Sequence, residues 1–219
     1  MRIFSQNLEG VCGAKVRNFM CSIARGHGPS KLFILSGPSG VGKNTVAERL
    51  LGAIGKEHLR RVITATTRKP RDFEVNGVDY YFLSHLEFVK KIETGEFLEY
   101  ANVHGENYYG SPRVGVEKIL ALGINALLII DTVGVEQILG QDNPFPIVTI
   151  FMAPKNLDEL RHRIMARNSE TEETITRRLW TAESEMGKVK MYDHVIISDS
   201  RDSDFLSIAE IYRMEVANG

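Results

Sequence analysis

The chain alternates short, wholly apolar runs with longer segments whose apolar residues recur every three to four positions. The first run, KLFILS at 31–36, stops at Gly37 and leads into a segment with Val46, Leu50 and Ile54 at helical spacing. That order predicts a strand, a glycine loop and a helix. ALLIID at 126–131, PIVTIFMAP at 146–154 and HVIIS at 194–198 are further buried strands, since apolar runs without alternation suit strands covered on both faces. Helix starts are legible between them. Ser84 with Glu87, and Asn156 with Glu159, have capping-box spacing, and Pro112 follows Ser111 just inside a third start. The pattern predicts an α/β fold with a parallel sheet covered by helices.

Two stretches interrupt the alternation. Residues 64–112, rich in Arg, Tyr, Thr and Gly, read as an insertion of short strands and one helix. Residues 163–178 open with a polar run, RIMARNSETEETITR, whose apolar period resumes at Ile175 and continues through Leu179, Ala182 and Met186, setting Arg178 beside the stripe. These boundaries leave 31–63, 113–162 and 179–219 as the core. Residues 1–30 lack periodicity, carry four basic residues against one acidic, and read as an N-terminal extension.

Composition narrows the function classes. A chain of 219 residues with 43% hydrophobic and 25% charged residues holds one globular core. A net charge of -1 gives no sign of a general polyanion binder, so no nucleic-acid partner is expected. No apolar run approaches the roughly 20 residues of a membrane span, so no membrane segment is expected. The two cysteines, Cys12 and Cys21, lack zinc-site spacing, and a reducing cytoplasm is the expected compartment.

The most informative stretch is GPSGVGKNT, residues Gly37, Pro38, Ser39, Gly40, Val41, Gly42, Lys43, Asn44 and Thr45. Glycines at this spacing let successive backbone N–H groups turn toward one point, the next helix adds its positive end, and Lys43 reaches the outer phosphates. A strand before and a helix after the loop are the context this mechanism requires. Asn44 stands where a hydroxyl ordinarily meets Mg²⁺. An amide oxygen can replace it directly or through water, so weakened magnesium affinity is expected. Thr45 does not take over, because one helical step swings its side chain by about 100°.

TATTRKPRDFEVNGVDYYF (64–82) and GEFLEYANVHGENYYGSP (95–112), with the phosphate loop, IIDTVG (129–134) and ARNSETEETITRRL (166–179), resemble the guanylate kinase family over residues 31–200. The resemblance implies a P-loop NTPase-type core, a mixed α+β GMP-binding insertion at 64–112 and a short lid at 163–178. It implies transfer of the γ-phosphoryl group of ATP, with Mg²⁺ as cofactor, to GMP. Arg68, Arg71, Tyr80 and Tyr109 match the clamp on the GMP phosphate, and Thr64, Glu99, Ser111 and Asp131 the guanine-contacting residues. Lys43, Arg68, Arg167 and Arg178 match groups that reach the transferring phosphoryl.

Chemistry agrees with this matching. A phosphate monoester with a second pKa near 6 is already a dianionic nucleophile at neutral pH. The obstacle is bringing two polyanions into line, which cations in fixed geometry remove. Guanine offers two adjacent donors where adenine offers an acceptor, so the Glu99 carboxylate favours the first base. Read alone, EFLEY is an amphipathic strand with solvated acids, and Arg68 and Arg71 are an exposed loop pair. The chain departs from the family at Asn44, Phe73 (usually Gly), Ile129 (usually an acid), Val133 (usually Gln), Asn168 (usually Gly) and Ser198 (usually Asn). These changes keep open a catalytically weak domain that binds nucleotide or a protein partner; a GTPase is disfavoured because no NKxD motif occurs.

Overall fold

A computed structural model describes residues 2–4, 28–103, 107–165 and 172–217. In chain order the elements are β1 (Arg2–Phe4), β2 (Leu32–Ser36), α1 (Lys43–Ile54), β3 (Leu59–Arg61), β4 (Ala65–Thr66), β5 (Tyr81–Phe82), α2 (His85–Glu93), β6 (Phe97–Val103), β7 (Asn107–Pro112), α3 (Arg113–Ala121), β8 (Asn125–Ile129), α4 (Thr132–Leu139), β9 (Ile147–Pro154), α5 (Leu157–Met165), α6 (Glu172–Met186), β10 (His194–Ser198) and α7 (Arg201–Ala217). The main sheet has the order β1-β10-β9-β2-β8-β3, with every pairing parallel. A second sheet, β5-β4-β7-β6, belongs to the insertion and is mixed.

Strand period 2 divides the core into two layers. Phe33 and Leu35 of β2, Leu127 of β8 and Ile150 and Met152 of β9 face α1, α5, α6 and α7. Leu32, Ile34, Ala126, Leu128 and Phe151 face the opposite way, against α3 and α4. Burial on both faces explains why these strands read as unbroken apolar runs. On α1 the stripe Val46, Leu50 and Ile54 is buried as its spacing predicts. Tyr212 of α7 is buried with its hydroxyl between Asn125 Nδ2 (2.9 Å) and the His58 carbonyl (3.2 Å), as a buried phenol requires.

The structure adds to the sequence reading at two points and corrects it at Pro112. The extension at 1–30 supplies β1, which pairs Arg2, Ile3 and Phe4 with His194, Val195 and Ile196; three residues are too few to show a period. Residues 5–27 lie outside those described. Pro112 ends β7 and occupies the N-cap of α3, with no side-chain cap bond, so it lies one step before the helix. Residues 163–165 belong to α5, where Ile164 is buried, and 172–178 to α6, so helix enters the expected lid from both sides. Of the two expected capping boxes, Ser84–Glu87 is reciprocal. Asn156 Oδ1 accepts from the Glu159 N–H at 2.8 Å, while the Glu159 carboxylate pairs with Arg163.

Candidate nucleotide site

The loop between β2 and α1 is a tight backbone cradle. Gly37, Gly40 and Gly42 have φ of 137°, 92° and 115°, a region that side chains rarely enter. A Cβ on Gly37 would lie 2.2 Å from the Met152 carbonyl oxygen, so the loop presses directly on β9. Gly42 caps α1 with no side-chain bond, and no acidic residue follows in the first turn. The helix therefore offers its first amides and its positive end toward the loop. Lys43 Nζ reaches back to the carbonyls of Gly37 (2.5 Å) and Pro38 (3.0 Å). Asn44 and Thr45 are exposed.

Arg163, which the sequence reading passed over, holds this loop from behind. Its Nη1 donates to the Val41 carbonyl (2.9 Å) and Ser198 Oγ (2.8 Å), and its Nη2 to Glu159 (2.5 Å) and the Asp199 carbonyl (3.1 Å). Ser198, at the position matched to a purine-contacting Asn, is fully buried and donates to Asp204 Oδ2 at 2.8 Å. The i,i+4 pair Glu159–Arg163 was the available signal, though surface pairs with that spacing are common.

The residues matched to the acceptor fall into two groups. Glu99 is only 5% exposed, receives the Ser111 Oγ–H at 2.5 Å, and has Oε2 2.9 Å from where a Cβ on Gly134 would stand. Burial pushes its carboxyl up to about 7; the Ser111 bond opposes the shift and the charge of Asp131 adds to it. The lone reading of EFLEY as a strand of solvated acids fails at this residue, because Glu99 pairs with Ser111 across β6 and β7 while Glu96 stays exposed. Asp131 caps α4, accepting the Gly134 N–H at 2.8 Å.

The second group is aromatic and cationic. Arg68 lies over the rings of Tyr80 (5.4 Å) and Phe82 (5.7 Å), and Tyr80 meets Tyr109 edge-on at 6.3 Å. Glu74, which sequence reasoning missed, takes Arg68 Nη1 and Nη2 at 2.7 and 2.9 Å and the Arg71 N–H at 2.8 Å. The Arg68 guanidinium holds that carboxyl down at about 2. The Arg71 side chain is exposed, and Thr64, half-buried, accepts the Tyr81 N–H through its carbonyl at 2.9 Å.

A cavity of about 710 Å³ is bordered by Gly37, Ser39 and Lys43 of the phosphate loop, by Tyr100, Ala101 and Asn102 of β6, and by Asp131 and Val133; of the residues matched to the acceptor, Asp131 lines it. From α6, Arg178 Nη1 donates to Ser39 Oγ at 3.3 Å. Seven residues on, Glu185 lines the same cavity; burial raises its carboxyl, while Lys43 and the Thr132 amide favour the charged form. It lay beyond the motifs and was missed. Arg167 and Asn168 lie outside the described residues. Of the other departures, Ile129 packs against the core, Val133 is half-exposed on the cavity wall, and Phe73 is 76% exposed.

Comparisons with known proteins agree with this geometry. A family profile described as guanylate kinase matches residues 29–215. Guanylate kinases of Wolbachia sp. subsp. Brugia malayi (strain TRS) and Rickettsia felis are each 41% identical, over 84% and 82% of this chain and 92% and 91% of their own lengths. The crystal structure of guanylate kinase from Anaplasma phagocytophilum superposes with a TM-score of 0.67 at 30% identity, covering 88% of each chain. Because the profile match spans residues 29–215 and the Wolbachia and Rickettsia relatives are 41% identical over more than four fifths of the chain, the chain belongs to the guanylate kinase family.

Proposed function

We propose that the protein is an ATP:GMP phosphotransferase of purine metabolism, moving the γ-phosphoryl group of ATP to GMP to give ADP and GDP. The observation that carries this reading is the cavity that runs from Gly37, Ser39 and Lys43 of the phosphate loop to Asp131 at the start of α4 and to Tyr100, Ala101 and Asn102, which follow Glu99 in β6. ATP phosphates lie on the Gly37–Thr45 cradle with Lys43 at the outer end, and GMP lies against the insertion. Arg68, Arg71, Tyr80 and Tyr109 hold its phosphate, and Thr64, Glu99, Ser111 and Asp131 its base. A GMP phosphate oxygen forms the new P–O bond as the bond from the γ-phosphorus to ADP breaks. Lys43, Arg178 and Arg167 balance the charge spread over the transferring oxygens.

Magnesium ordinarily keeps several waters and one or two carboxylates beside substrate phosphates. Among the described residues no group of three or more His, Cys, Asp or Glu is placed to hold a metal. Glu185 on the cavity wall, with Asn44 in the first turn of α1, suits such a sparse site. Bound there, the ion would neutralise charge on the β- and γ-phosphates.

No described helix is long and apolar enough to cross a membrane, and we place the enzyme in the cytoplasm with its substrates. The binding-only alternative is not favoured, since relatives about 40% identical over most of the chain are named guanylate kinases. ADP release coupled to a reporter reaction tests the proposal: turnover requires both GMP and Mg²⁺, and nucleotide binding without GMP-dependent ADP would overturn it.

A further inference from the structure

We infer that Gln137 and Gln141 of the α4 segment are positioning residues for base selection, setting where the Glu99 carboxylate stands. The inference rests on the base-reading role proposed for Glu99. Strand β6 is the open edge of the insertion sheet, and its register with β7 shifts between Phe97 and Glu99, leaving Leu98 as an extra residue. Such a bulge turns the next side chain and takes a carbonyl out of the ladder. Here the Leu98 carbonyl accepts from Gln141 Nε2 at 2.7 Å, and Arg113 Nη2 donates to Gln141 Oε1 at 2.9 Å.

On the other side of Glu99, Gln137 acts as a substitute strand. Its Oε1 accepts the Tyr100 N–H at 3.1 Å, and its Nε2 donates to the Tyr100 carbonyl at 2.9 Å. Both backbone neighbours of Glu99 are thus fixed by side-chain amides, Gln137 from the last turn of α4 and Gln141 from just past its C-cap Gly140. Gly134 lies on the same face of α4 as Gln137, three residues before it, and its missing Cβ gives Glu99 Oε2 the space it occupies. The carboxylate is therefore registered to α4, whose start at Asp131 borders the cavity, as well as to its own sheet. Small displacements matter in this setting, because hydrogen bonds to a donor pair weaken steeply with angle.

The test measures steady-state ADP release with GMP and with AMP, alongside thermal denaturation, for Gln137→Ala, Gln141→Ala, Gln137→Glu, Glu99→Gln and a control on the same helix. The control is Glu136→Gln, which removes the charge that pairs with Lys188 and leaves both glutamines in place. Loss of two hydrogen bonds at Gln137 raises the KM for GMP by about tenfold and lowers the GMP-over-AMP ratio, with the KM for ATP within about twofold. Gln137→Glu retains the acceptor for the Tyr100 N–H, loses the donor, and falls between wild type and Ala; it carries the test should an alanine variant fail to fold. An unchanged KM for GMP in the glutamine variants, or GMP and ATP constants that worsen together with the melting temperature, overturns the inference. If Glu99→Gln keeps full discrimination, the base-reading role fails and the inference fails with it. If Glu99→Gln loses discrimination while the glutamine variants keep it, only the positioning role fails.

Discussion

Replacing Glu99 with Gln removes a charge from a site where burial opposes it and leaves a side chain of nearly the same shape. The carboxyl titrates at about 7 in the fold against an ordinary value of 4.5. That difference corresponds to roughly 3 kcal/mol of destabilisation once the group is ionised. The unfolded chain loses this proton at lower pH, so the cost is absent below about 4.5, grows as pH rises toward 7 and is constant above. Chemical denaturation from pH 5 to pH 8 therefore finds Glu99→Gln gaining about 3 kcal/mol on wild type at the alkaline end and little at the acid end. Function moves the other way. Hydrogen bonds to a charged acceptor contribute about 1.5–3 kcal/mol, so kcat/KM for GMP falls roughly 10- to 100-fold while the value for AMP does not fall. Guanosine, which lacks the phosphate and its own titration near pH 6, isolates the base: wild-type affinity weakens about tenfold per pH unit below 7, and the variant's does not. Parallel denaturation curves at every pH, or an unchanged GMP-to-AMP ratio, would refute the reasoning.

Three further outcomes follow from the phosphate loop. Gly37→Ala forces a Cβ against the Met152 carbonyl at a φ of 137°, and destabilises the protein by roughly 3 kcal/mol or more in denaturation, with loss of nucleotide binding. Lys43→Ala lowers kcat by about 100-fold or more while the Kd for ATP, read by calorimetry, changes far less, since the ammonium acts mainly on the transferring charge. Asn44→Ser restores a hydroxyl to the first turn of α1 and lowers the Mg²⁺ concentration for half-maximal turnover; an identical magnesium titration contradicts a metal role at this position.

The strand, loop and helix around Lys43 were legible because each layer follows a short-range rule: an unbroken apolar run, glycines at fixed spacing, then a period of 3.6. The Ser84–Glu87 cap was readable for the same reason. Glu99 was legible only through the surrounding motif, since strand alternation alone puts it among solvated acids; its burial arises from pairing with Ser111 and contact with Gly134. Glu74, Arg163 and Glu185 were not legible. Each acquires its place through a partner distant in the fold or through a loop turn, and the one local mark, the i,i+4 pair of Arg163 with Glu159, is too common on surfaces to single it out. The bulge at Leu98 and the three-residue β1 are tertiary outcomes of the same kind, settled by an edge partner that the local sequence does not name.

The central claim is that one cavity lets GMP receive a phosphoryl group from ATP held on the glycine loop. The most direct measurement is ADP formation by the full chain with ATP·Mg²⁺ in the presence of GMP, of AMP, and of neither. Rapid ADP release with stoichiometric GDP in the GMP reaction alone is the predicted result. Equal ADP release in all three, or none from a protein that demonstrably binds both nucleotides, would contradict it.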